Sequence, residues 1–164
     1  MVSAQPLSER QPILTREAGM MHPSSQRSRT TPTWFAGGLR FECRRCSACC
    51  RISGTVYVAK DELADLAHAR GLAVEQLCAQ ELFPFTDGYS VMEKESGECL
   101  YLGEDGGCAV YAARPRQCRT FPFWRKLLRD PRKWKQYAAN CPGMDHGELL
   151  TEEEILERMA QSPL

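Results

Sequence analysis

The chain has 164 residues, enough for one ordinary domain and little more. Its 21 basic and 21 acidic residues cancel, so the overall balance points neither to a nucleic-acid partner nor to a membrane surface. No stretch approaches the roughly 18 consecutive apolar residues of a membrane-spanning helix, and Glu9, Arg10, Arg16 and Glu17 interrupt any apolar core of a secretory leader; the expectation is a soluble cytoplasmic protein.

Residues 1–33 are rich in Ser, Thr, Pro, Gln and Arg and lack apolar periodicity. They read as a disordered N-terminal tail ahead of one domain over 34–164, because such a composition cannot bury enough apolar surface to offset its ordering entropy. Met20 and Met21 are alternative starts that the sequence does not choose between. The folded region opens at Trp34-Phe35, and Leu39 and Phe41 alternate into Cys43. Thr55-Val56-Tyr57-Val58 is β-prone. Asp61 to Arg70 reads as a helix that Gly71 ends, with Leu63, Leu66 and Ala67 on one face. A second helix is expected over Val74 to Leu82, stopping before Pro84. Next comes a hairpin, Tyr89-Ser90-Val91-Met92 against Glu98-Cys99-Leu100-Tyr101-Leu102, followed by a turn at Gly106-Gly107. A helix is expected around Trp124 to Leu128, interrupted by Pro131. Thr151 and Glu154 make a capping box for a last helix whose apolar stripe is Ile155, Leu156 and Met159. The expected fold is α+β: a small, irregular, metal-stabilised domain with short strands, a hairpin and several helices.

All nine cysteines lie between Cys43 and Cys141. An odd number argues against a fully paired disulfide framework, and cysteines of a reducing compartment are more often metal ligands, catalytic groups or small buried hydrophobes. The spacing Cys43-x2-Cys46-x2-Cys49-Cys50 is the strongest signal in the chain. Two-residue gaps let a tight loop turn successive sulfurs toward one centre, as zinc and iron–sulfur clusters both require. Neighbouring residues of an extended chain point to opposite sides, so Cys49 and Cys50 are not expected to face one metal together. Cys99, Cys108, Cys118 and Cys141 follow at wider spacing, each beside loop or turn residues. A tetrathiolate zinc site carries a formal charge of about −2, and Arg114, Arg116 and Arg119, which bracket Cys118, are candidates to offset it.

The chain resembles the YkgJ-like cysteine-cluster proteins, a family described as a zinc- or iron-chelating domain with a CxxCxxCC signature. The matching pieces are Gly38 to Cys43, the run Cys43 to Cys50, Gly97 to Leu102, Cys108-Ala109-Val110-Tyr111, Arg114 to Phe123, and Cys141-Pro142-Gly143. The resemblance implies a ligand set of Cys43, Cys46, Cys49, Cys50, Cys99, Cys108, Cys118 and Cys141, holding Zn2+ or an iron–sulfur cluster such as 4Fe–4S. Two departures stand out: Ser47, where the family often has glycine, and Asp145-His146-Gly147, where a shorter apolar-Gly sequence is usual. A related cysteine motif occurs in flagellin lysine methylases, but no Gly-rich nucleotide loop supports that activity here.

Other residues have blander readings. Cys78 shares a helix face with Val74, Leu77 and Leu82 and reads as core. His68 is remote from the cluster, whereas His146 follows Cys141 closely enough to serve as a histidine ligand in a Cys3His site. Phe121, Phe123, Trp124 and Trp134 read as core. The run Arg125, Lys126, Arg129, Arg132, Lys133 and Lys135 is one-signed and reads as a solvated face, with nucleic acid or an acidic protein as the alternative partner. No paired carboxylates, Ser-His-Asp order or His-x-x-x-His motif argues for an enzyme. The functional expectation is a metal-binding protein with a redox or sensory role, or alternatively a structural zinc module that binds a protein or nucleic acid.

Overall fold

The structure, a computed structural model, describes residues 32–163. The expected tail over 1–33 lies outside these residues apart from Pro32 and Thr33. The Thr33 hydroxyl donates to Glu152 Oε1 at 2.5 Å.

Strands β1 (Leu39–Phe41), β2 (Tyr57–Val58), β3 (Leu82–Phe85), β4 (Gly88–Val91) and β5 (Met144–Leu150) form two antiparallel sheets, β1-β5 and β2-β4-β3. Around them run helices α1 (Leu63–Arg70), α2 (Val74–Gln80), α3 (Arg116–Arg119), α4 (Arg125–Leu128), α5 (Pro131–Ala138) and α6 (Glu152–Gln161), together with three short 3₁₀ turns. This is the α+β class expected. No described helix is long and apolar enough to cross a membrane.

Apolar side chains gather into two small cores. Val58, Leu66, Leu77, Leu82 and Val91 centre the first, where α1 and α2 cover one face of the three-stranded sheet. Phe123, Trp134, Met144, Leu150 and Ile155 centre the second, packed by β1, β5, α5 and α6. Cysteines edge both: Cys78, Cys99 and Cys108 pack against the first, and Cys141 against the second.

Helix α1 ends as expected, with Gly71 in the left-handed region (φ 68°). The capping box of α6 is present, and Ile155 is buried, but Leu156 is exposed and leaves the stripe narrower than expected. Three elements differ from the sequence reading. The chain leaves α2 at Gln80, and Leu82 opens β3, which turns at Thr86 (φ 52°) to pair with β4. Pro84 is tolerated there because β3 is a sheet edge, where a missing N–H breaks no ladder. The expected hairpin partner, 98–102, meets the 92–94 segment only through one bridge, Glu93 to Cys99, and flanking backbone bonds. Pro131 starts α5 rather than merely interrupting a helix: Asp130 caps it by accepting from Arg132 N (2.9 Å), and proline at the first helical position costs no bond. Residues 144–150, for which the sequence suggested no element, form β5 and pair with β1. Arg40 faces Leu149 and Phe41 faces Met144, so residues 145–148 bulge out between those pairs.

Candidate metal centre

Four chain segments carry the cysteines to one region. The first leaves β1 and reaches Ser47, whose backbone is left-handed (φ 57°, ψ 13°), before a 3₁₀ turn over Ala48–Cys50. That turn corrects the extended-chain expectation. At three residues per turn, neighbouring side chains diverge by about 120° rather than pointing apart, and Cys49 and Cys50 line the same cavity.

The second segment is clasped to the first. Cys99 N donates to Cys50 O (2.8 Å), Arg51 pairs with Glu98 (2.7 Å), and Gly54 N donates to Glu93 Oε1 (2.6 Å). Cys108 follows through a bridge with Leu102.

Cys118 lies inside α3, not in the loop that was expected. Two buried polar side chains hold this short helix. Gln117 bonds the backbone beside β2 in both directions, accepting from Tyr57 N (2.8 Å) and donating to Thr55 O (2.8 Å). Glu62 accepts from Arg116 N (2.6 Å) and from the Arg119 guanidinium (3.1 Å). Sequence reading missed both residues. Both stand among polar and charged neighbours, Lys60-Asp61 and Arg116 with Arg119, so their burial has no local signal in the sequence.

Cys141 arrives on the fourth segment. Glu42 N donates to Gly143 O (3.0 Å), which sets Cys141 near the start of the motif. A side chain at Gly143 would run into the Glu42 carbonyl.

Six of the eight expected ligands, Cys43, Cys49, Cys50, Cys99, Cys108 and Cys118, line one cavity of about 340 Å³. A second hollow, between the motif and α5, is lined by Cys49 and Cys141 with Phe121 and Tyr137. Cys46 lines neither, but its field and that of Cys49 act on Cys141. Cys43, Cys46 and Cys49 are exposed and the others half-buried; none of the nine is in a disulfide. Cys50 is the hub, with the Cys108, Cys49 and Cys99 sulfurs around its thiol and one proton to share among them. These neighbours hold the Cys50 proton more tightly than an ordinary thiol does. Its thiol in turn favours thiolate on them. Cys108 is lowered to about 6, with help from the Val110 amide and Arg114, and Cys49 to about 7. Cys99 is lowered by Cys50 and by the Tyr101 amide. Burial pushes the Cys118 and Cys141 thiols up.

A family model described as "Putative zinc- or iron-chelating domain", with the signature CxxCxxCC, matches residues 42–142. The chain belongs to this family. No solved structure matches it.

The donor set of this CxxCxxCC domain fits thiophilic metal: eight thiols, three of them biased to thiolate, with no competing carboxylate cage. The sulfurs line a cavity rather than closing on a point, and no three His, Cys, Asp or Glu side chains among the described residues form a closed ligand shell. His146 and His68 are exposed and line neither hollow. Cys78 packs in the first core, as its helix face implied. Phe123 and Trp134 are buried, Phe121 and Trp124 half-buried, and all six basic residues between Arg125 and Lys135 are exposed.

Proposed function

We propose that this CxxCxxCC domain holds an iron–sulfur cluster on four thiolates drawn from Cys43, Cys46, Cys49, Cys50, Cys99, Cys108, Cys118 and Cys141, and serves a redox or sensory role in the cytoplasm. The gathering of six of these cysteines around one cavity supports it most directly. A lone zinc ion wants four sulfurs about 2.3 Å from a single point; a cluster takes its thiolates at the corners of a larger body, closer to the wide arrangement here. Cys49, Cys50, Cys99 and Cys108 are the inner quartet, with Cys50 among the other three and all four lining the one cavity. Cys118 stands beside them, in the fields of Cys49, Cys99 and Cys108. Cys43 and Cys46, both exposed, form the outer rim, and half-buried Cys141 approaches from the second hollow. A bound cluster supplies one-electron chemistry at a potential set by net charge, hydrogen bonds to sulfur and exposure. The chain's own part is to present thiolates, hold the four segments in place and leave the outer rim open to solvent. Nine unpaired thiols suit a reducing compartment.

A second reading, zinc as a folding staple, draws on the position of the site. Thiols from one constellation pack against both small cores, so a metal there would contribute folding free energy.

Anaerobic purification of the full chain, followed by a visible spectrum and assays of iron, zinc and acid-labile sulfide, separates the two. Brown protein with iron and sulfide in near-equal amounts supports the cluster. Colourless protein holding zinc supports the staple, and folded protein with no metal defeats both.

A further inference from the structure

Arginines crowd this site, and their pairing divides them. Arg44 pairs with Glu42 (3.1 Å), Arg51 with Glu98 (2.7 Å), Arg116 with Asp61 (2.6 Å) and Arg119 with Glu62 (3.1 Å). Arg45 and Arg114 have no carboxylate partner among the described residues. Both instead stack on one ring: the Arg45 guanidinium carbon lies 4.1 Å from the Tyr111 centroid and that of Arg114 3.9 Å. Arg114 Nη1 also donates to Tyr111 O (2.7 Å). All three residues line the cavity that holds Cys43, Cys49, Cys50, Cys99, Cys108 and Cys118. The one carboxylate there, Asp105, accepts from the Gly107 amide.

Two cations brought to one ring repel each other unless an anion lies close by. The ring face offsets only part of that cost. Asp105 forms an ion pair with neither arginine among the described residues, so the other anions the cavity offers are thiolates, and a centre with four thiolate ligands keeps a net negative charge after the metal is bound.

We propose that Arg45 and Arg114, perched on Tyr111, are the counter-charge of the thiolate centre and set how tightly it keeps its metal. Tyr111 is the positioning residue: its ring fixes where both charges stand. Arg114 was a sequence candidate for this role, whereas Arg116 and Arg119 are engaged by Asp61 and Glu62, and Arg45 and Tyr111 emerge only from the fold. This inference rests on the metal-binding reading, and the test separates the two.

The full chain is purified anaerobically with the metal it acquires, then titrated with EDTA, and the metal remaining is measured by elemental analysis after gel filtration. For R45Q and R114Q the EDTA concentration that removes half the metal is expected to fall by about tenfold each, as for the loss of one nearby opposite charge. R45K and R114K keep the charge and are expected to recover most of the loss. R44Q, whose arginine is already paired with Glu42, is expected to match the wild type. Circular dichroism shows that each variant is folded. Glutamine variants that hold metal within twofold of the wild type overturn the proposal. So does a folded lysine variant as weak as glutamine, because the role is then shape and not charge. A wild-type chain that carries no metal defeats the metal-binding reading itself, and this inference with it.

Discussion

Cys50 owes its position to the residue three places before it. Ser47 holds a left-handed backbone (φ 57°), which lets the chain turn tightly enough for Cys49 and Cys50 to reach one cavity. Glycine adopts that conformation without the steric cost that a Cβ brings, which gives a physical reason for the glycine usual there in the resembling family. Ser47→Gly is therefore expected to raise stability by about 0.5–1 kcal/mol in urea unfolding with metal content unchanged; a loss of stability would contradict this. The thiols also predict a pH dependence. Cys50, Cys118 and Cys141 hold their protons more tightly than ordinary thiols, so as ligands they would have to release them. Protons compete with metal, so affinity rises with pH. Metal retained after gel filtration is expected to fall between about pH 8 and pH 6; a flat profile would count against thiol ligation. The CxxCxxCC run and the turn residues beside the later cysteines stood in the chain itself, and six of the eight candidates line one cavity. The hub role of Cys50 was not legible there, since it depends on which distant thiols arrive around it.

At the scale of elements, α3 shows how far the sequence could be read. Arg116-Gln117-Cys118-Arg119 is one turn long, too short for apolar periodicity to reveal, and an isolated helix of that length is unstable in water. Gln117 within the helix and Glu62 outside it anchor it, through bonds between residues 54 to 62 positions apart. Gln117→Ala is expected to cost about 2–3 kcal/mol, because it leaves the Tyr57 amide and Thr55 carbonyl unpaired in a part-buried site. Metal is expected to be lost more readily as Cys118 loosens. Unfolding curves and metal assays check both, and unchanged values would show that α3 stands without this clasp. The β3–β4 hairpin escaped sequence reading for another reason. Pro84 argued for a break, and only sheet order reveals that it sits on an edge. Helices α1 and α6 were read well because their stop and cap are local: Gly71 in one, Thr151 with Glu154 in the other.

The whole domain is two small cores with a thiol constellation edging both. The apolar side chains form two separate clusters rather than one, and a metal at the cysteines that edge both would supplement their burial. Removing the metal with EDTA under reducing conditions is therefore expected to lower the melting temperature, by more than about 10 °C if the centre contributes several kcal/mol. An unchanged melting curve would mean that the cores suffice alone. The α+β class could be read from the pattern of helices and strands. The long-range pairing of β1 with β5, about 105 residues apart in the chain, could not, because 145–148 bulge out and hide the alternation.

The central claim is that cysteines from four segments share one centre, with Cys50 at its heart and Cys78 outside it. Metal per chain, measured by elemental analysis in anaerobically purified Cys50→Ser and Cys78→Ser variants, tests it most directly. The account predicts near-complete loss of metal in the first and wild-type content in the second; equal content in both would contradict it.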